Sequence, residues 1–121
     1  MPQSLHGYHR AYLHVEMTTS SAKCVILHEN ILRRFLGGSG LGTYLLLAEG
    51  TAAIDPLSPS MALIFVFSPL VGSPLTTSAK FAVVSKSSLT QRINNSLFSS
   101  AFVIAGKRTG FDALLMTGRA A

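Results

Sequence analysis

Four glycines fall within residues 37–42, inside the run FLGGSGLGTYLLL at 35–47. Backbone amides exposed at such a density of glycine can cradle a phosphate, so this is the first stretch where chemistry could reside. Its spacing argues against that use. A P-loop needs G-x-x-x-x-G-K-S/T, because lysine must reach the terminal phosphates and the hydroxyl must ligate magnesium. Gly37 and Gly42 have the separation, but Thr43 stands at the lysine position. The dinucleotide fingerprint G-x-G-x-x-G fails too, since its third glycine would be Thr43 counted from Gly38 and Leu45 counted from Gly40. Both motifs follow a strand, whereas Ile31, Leu32, Phe35 and Leu36 before the glycines have helical spacing. The glycines therefore read as a helix stop followed by a tight helix start.

The other reactive side chains form no catalytic set. Five carboxylates are dispersed along the chain; Asp55 precedes Pro56 in a turn, and Asp112 begins a strand. The four histidines, His6, His9, His14 and His28, make no H-E-x-x-H pair, which would set two zinc ligands on one helix face. Gly38-Ser39-Gly40 lacks the G-x-S-x-G spacing of a nucleophile elbow. Cys24 is the single cysteine, which excludes an intrachain disulfide and a multi-thiolate metal site. It is expected to pack as a small apolar residue.

Composition bounds the class. The 121 residues suit one domain with its own core. Hydrophobic residues make up 48% and charged residues 12%, about half the usual share of charge. So little charge leaves apolar surface without polar cover, and the strands at 61–67 and 111–117 are expected to present an exposed apolar face. No apolar run reaches the ~20 residues that span a bilayer, so no membrane is expected as a partner. The N-terminus lacks a basic region followed by an apolar core, and a cytoplasmic location is the expectation. A net charge of +5 favours anionic partners. The basic residues are scattered, with Arg33-Arg34 and Lys107-Arg108 the only adjacent pairs, and tryptophan is absent. A nucleic acid, which needs a basic and aromatic surface, is not the expected partner.

The elements that must position these residues follow from periodicity. Residues 8–17 alternate as a strand, and 22–27 form its hairpin partner after the turn at 18–21. Two helices flank the glycines and end near Glu49 and Gly50. Interior strands are expected at 61–67 and 80–85, separated by the loop 68–75. A polar stretch leads to a helix at 99–109, stopped by Gly110, and then to a strand at 111–117. The order ββααββαβ predicts an α+β domain whose sheet carries helices on one side.

Five segments in order carry a resemblance: RRFLGGSGLG at 33–42, DPLSP at 55–59, SPLVGSP at 68–74, KFAVVSKSSLT at 80–90 and GFDALLMTGR at 110–119. Together they are similar to the N-terminal domain of the tungsten-containing aldehyde:ferredoxin oxidoreductase family, over nearly the whole chain. The stretch INNSLFSS at 93–100 leans toward the branch with the benzoyl-CoA reductase catalytic subunits. The resemblance implies a β-rich sheet domain with a few packed helices, spanning residues 1–121, that cradles a tungsten bis-pterin cofactor. It also implies an iron–sulfur cluster held by cysteines of further domains and a magnesium ion at the pterin phosphates. The expected partners are those remaining domains or subunits and a ferredoxin-like electron carrier.

Carried over residue by residue, the resemblance implies three cofactor-binding positions. Lys80 stands where the family has a pterin-contacting arginine; it keeps the charge but not the forked donor geometry. Leu97 falls at an asparagine whose backbone carbonyl helps hold the magnesium, and Ser99 falls at a pterin-contacting glycine. Ser39, Met61, Ser68 and Ser88 replace a usual arginine, asparagine, glycine and proline. Lys80 and residues 94–100 are expected on one face, with the hydroxyls of Ser96, Ser99 and Ser100 at the pterin edge. The leading expectation is the N-terminal domain, here a fragment, of a tungstopterin oxidoreductase acting on aldehyde or acyl-type substrates. The alternatives are a non-enzymatic remnant or interaction module that keeps the fold without cofactor, and, third, a basic nucleic-acid-binding domain.

Overall fold

The computed structural model describes residues 6–50 and 53–120. Residues 1–5 and 121 of the expected 1–121 domain, with residues 51–52, lie outside the described residues. The strands are β1 (Ala11–Glu16), β2 (Ser21–Ile26), β3 (Leu63–Phe67), β4 (Lys80–Lys86), β5 (Ile93–Ser99) and β6 (Ala113–Thr117). The helices are α1 (Glu29–Phe35), α2 (Gly38–Ala48) and α3 (Ala101–Arg108). One mixed sheet forms in the order β2-β1-β6-β3-β4-β5. The pair β1–β6 is parallel and the other neighbours are antiparallel. An α+β fold is thus present.

Strand β3 lies inside the sheet because LIFVF is apolar at every position and can bury both faces. Ile64 and Val66 point to the side of α1 and α2, in a core with Leu32, Leu41, Leu45, Ala82, Val84 and Leu115. Phe65 and Phe67 point the other way and meet α3 through Val103 and Ile104. Helices therefore cover both faces, not one as expected. The hydrophobic residues of α3 pack against the β3 and β4 side chains that the α1/α2 side does not use.

Three expectations change at the local level. Helix α2 begins at Gly38, so Gly40 and Gly42 lie inside it and only Leu36 and Gly37 link the helices. A β-carbon at Gly42 would stand 2.5 Å from Val84 Cγ2 and 3.2 Å from Val66 Cγ2. Glycine is needed there so that α2 can lie on the sheet, despite a cost of about 1 kcal/mol in helix propensity. The polar stretch at 93–99 is a strand, β5, with every residue exposed to solvent in part at the sheet edge, where no apolar alternation is required. Cys24 is exposed on β2, the opposite edge, and does not pack in a core.

The expected apolar surface is also displaced. Strands β3 and β6 are central, and all their residues but Leu63 are buried or half-buried. Exposed apolar side chains also occur on β5 and the start of α3, Ile93 and Leu97 on one face and Phe98 and Phe102 on the other.

Candidate functional site

Lys80 opens β4 at the end of the loop that follows β3, and the Ser68 amide donates to its carbonyl at 3.2 Å. Across the ladder Lys80 is paired with Ser99 and Ala82 with Leu97. Side chains two apart share a face, so Lys80, Leu97 and Ser99 all belong to the α1/α2 side at the sheet edge. Ser96 belongs to the other side, next to Phe81 and Phe98 around a shallow depression. Ser100 is engaged as the N-cap of α3, its hydroxyl accepting from the Phe102 amide at 3.2 Å. The expected row of hydroxyls is thus divided, because alternate residues of a strand face opposite ways. Ser99 keeps the right face, while Ser96 and Ser100 do not join it.

Lys80 and Leu97 line an open cleft of about 280 Å³. Its other walls are Leu36, Gly37 and Gly38 at the start of α2, Ser68 and Pro69 after β3, and Val66, Phe81 and Ala82 of the sheet. The glycines rejected as a free-standing nucleotide loop therefore do reach the candidate site, as one wall of it. A β-carbon at Gly38 would meet nothing within 4 Å, so the backbone is open there. The first turn of a helix leaves backbone N–H groups without intrahelical partners, and the dipole adds partial positive charge. With the exposed Lys80 ammonium nearby, the cleft suits an anionic, partly apolar group such as a phosphorylated ring system. It offers no carboxylate, thiolate or imidazole, and so no set of side chains for a metal.

The wall at Leu36 is unusual. Leu36 has φ 52 and ψ −53, and the Gly37 amide donates to the Phe35 carbonyl at 2.5 Å. This is the φ-positive γ-turn, which is strained for a residue with a β-carbon. The Tyr8 hydroxyl donates to the Leu36 carbonyl. Burial, aided by the Asp112 charge, raises the Tyr8 phenol above its ordinary value and keeps it a donor.

A second polar group sits at the opposite end of the sheet, around a cavity of about 210 Å³. His14 Nε2 lies 3.0 Å from the Thr117 hydroxyl, which donates to Glu16 at 3.0 Å, and His14 Nδ1 lies 3.8 Å from Glu49. The Tyr12 hydroxyl donates to Glu49 at 2.5 Å. Backbone donation from Thr18, with help from Thr117, holds the Glu16 carboxyl below its ordinary range. These contacts fasten β1, β6 and the end of α2 to one another. Among the described residues, no three of His, Cys, Asp and Glu come together as a metal site.

Sequence reasoning missed Asp112 as an organising residue. It is 1% exposed and accepts from the His9 amide, the Arg10 amide and the Lys107 ammonium. The signal was confined to an aspartate in an apolar setting, since its backbone partners are about a hundred positions away.

Comparison with known proteins identifies the domain. Residues 12–121 match the family described as aldehyde ferredoxin oxidoreductase, N-terminal domain. The tungsten-containing aldehyde ferredoxin oxidoreductase of Pyrococcus furiosus is 34% identical over 116 residues, covering 96% of this chain and 19% of that protein. The aliphatic sulfonate oxidoreductase WOR-like subunit of the same organism is 34% identical over 119 residues, again 96% of this chain and 19% of the relative. The active site complex BamBC of benzoyl coenzyme A reductase, solved with 1,5-dienoyl-CoA, superposes with a TM-score of 0.88. At 24% identity over 95% of this chain and 18% of that one, the likeness is one of fold. The chain thus spans about a fifth of the length of these relatives. It belongs to the aldehyde ferredoxin oxidoreductase family, as a representative of its N-terminal domain.

Proposed function

We propose that this chain is the cofactor-cradling N-terminal domain of a tungstopterin oxidoreductase acting on aldehyde or acyl-type substrates. The observation that carries the reading is the cleft joining Lys80, Leu97 and the open backbone of Gly38 on one sheet edge. The chain's residues would bind and orient. Lys80 would place a positive charge beside a pterin phosphate, and the first amides of α2 would donate to its oxygens. Ser99, beside Lys80, would offer a hydroxyl where the family has bare backbone, and the Leu97 carbonyl is the candidate magnesium ligand. The redox chemistry would come from the tungsten cofactor and an iron–sulfur cluster, with electrons passing to a ferredoxin-like carrier. The cluster does not fit this chain, whose single cysteine lies on the far edge strand. Further domains or subunits would supply its thiolates. A cytoplasmic setting belongs to the same reading.

Binding of a phosphorylated pterin to the chain tests it, followed by the amide resonances of Gly38, Ser39, Lys80 and Leu97. Those resonances should move together. Lys80→Ala should weaken binding roughly fivefold, about 1 kcal/mol for an exposed charge, and Lys80→Arg should strengthen it. If no resonance at the cleft responds, the chain keeps the family fold without its cofactor, as the replacements at Lys80 and Ser99 would then explain. A reading frame continuing past Ala121 into a cysteine cluster would add independent support.

A further inference from the structure

We infer that the strap at residues 7–10 is a positioning device for the cleft, with Tyr8 as the residue that holds the strained wall at Leu36. This rests on the reading of the cleft as a cofactor cradle. The strap does not line the cleft; it acts through residues that do.

Its foundation is Asp112. The carboxylate accepts from the His9 amide at 2.9 and 3.1 Å, the Arg10 amide at 2.8 Å and Lys107 Nζ at 2.8 Å. A carboxylate this deeply buried is tolerable only when paired and fully hydrogen-bonded, and here both conditions are met. Two further bonds, Leu27 amide to Arg10 carbonyl and Asp112 amide to Ala11 carbonyl, each 2.8 Å, fix the strap to the sheet. Gly7 at φ 86 and Arg10 at φ 64 bend the chain on either side of Tyr8.

From that fixed base the strap reaches two walls. The Tyr8 ring lies 5.8 Å from Lys107 Nζ, and its hydroxyl donates to the Leu36 carbonyl. Gly7 backs directly onto Pro69, where a β-carbon would stand 2.5 Å from the carbonyl oxygen. Gly37 touches Pro69 from the other side, its β-carbon position 3.0 Å from Pro69 Cδ. Strained backbone persists only where its surroundings over-determine it, and it concentrates at binding sites. The Leu36 γ-turn leads directly into Gly37 and Gly38, which line the same cleft as Lys80. Tyr8 satisfies the carbonyl that this turn exposes.

The test uses Tyr8→Phe in the full chain, which keeps the ring over Lys107 and removes only the donor. Exchange of the Gly37 amide should accelerate about tenfold, and affinity for a phosphorylated pterin should fall about tenfold, as the loss of one bond at a strained turn implies. Tyr12→Phe loses a comparable hydroxyl bond far from the cleft and should leave both readings unchanged. Leu36→Gly in the Tyr8→Phe background, where glycine adopts the positive φ without strain, should return the Gly37 exchange rate toward wild type. Unchanged turn amides in Tyr8→Phe would overturn the inference, as would equal loss of binding in Tyr12→Phe. A wild-type chain that binds no pterin, with turn amides that still respond to Tyr8→Phe, would sink the cofactor reading and leave the positioning of the turn supported.

Discussion

On the α1/α2 side of the sheet, Ile64, Val66, Ala82, Val84, Ala113 and Leu115 are sealed beneath Leu41, Leu45 and Leu46. On the α3 side, Phe65, Phe67, Phe81, Phe98 and Phe102 form a chain of ring contacts with centroids 5.4–6.3 Å apart. Phe98 and Phe102 remain 49% and 47% exposed there. Both faces are apolar, so hydrophobicity does not separate them. The size of the side chains at the contact does. Glycine and alanine on the first face let α2 lie flat across β3 and β4, whereas on the second the short α3 meets the Phe67 ring closely only at Gly106 and leaves an apolar cavity of about 310 Å³ beside it. The candidate cleft opens at the end of the close-packed face. The open face supplies apolar surface instead.

The largest expected effect sets the two faces directly against each other. Leu45→Ala removes a side chain that is 1% exposed and should cost about 2–5 kcal/mol in urea unfolding. Phe102→Ala deletes a larger but half-exposed side chain and should cost about 1–2 kcal/mol. Equal costs would break the comparison.

A smaller pair of substitutions probes the same contrast through glycine. At Gly42 an added methyl would press on Val84 and Val66, both fully buried with nowhere to shift. Gly42→Ala should therefore cost about 1–3 kcal/mol net, overpacking outweighing the gain of about 1 kcal/mol in helix propensity. At Gly106 the added methyl would meet the outer edge of the Phe67 ring, 2.5 Å away, but that ring borders the open cavity. Gly106→Ala should lie within about 1 kcal/mol of wild type, because ring displacement and propensity gain offset each other. A Gly106 variant as damaged as the Gly42 variant would mean that the open face is as rigid as the closed one.

The contrast also marks what the residues disclose before folding. Strand β3 was legible because five consecutive apolar residues can only be buried on both sides. The helix pair around the glycines was legible from the spacing of Ile31, Leu32 and Phe35. Strand β5 was not, because an exposed edge imposes no alternation on INNSLFS, and its pairing is decided by β4. The two-sided helices were hidden for a related reason: a strand apolar throughout does not tell which side receives which helix. Lys80, Leu97 and Ser99 were reached through family resemblance alone, and the division of Ser96 from Ser99 required the register. Tyr8, Leu36 and Asp112 act through contacts between distant segments, for which one-dimensional spacing carries no trace.

The smallest expected effect is a pH dependence peculiar to the closed face. Tyr12 is buried in that core and donates to Glu49 at the end of α2, tying the helix to β1. Burial first, then the bond and charge of Glu49, raise the Tyr12 phenol well above the ordinary tyrosine value. The unfolded chain ionises there at about pH 10, so above that pH it releases a proton that the folded chain retains. The stabilisation from Tyr12 is therefore fully present below about pH 10 and is lost as pH rises through the folded value, at up to about 1.4 kcal/mol per pH unit. Tyr12→Phe should cost about 1 kcal/mol at pH 8, where the hydrogen bond is intact. As pH rises from 10 to 11.5 the wild-type stability should fall to that of the variant and then below it, because the variant has no phenol to titrate. Other tyrosines affect both proteins alike, so the difference isolates Tyr12. Urea unfolding at pH 8 and pH 11 suffices. A gap of the same size at both values would mean that Tyr12 is not the proton-dependent fastening of the α2 end.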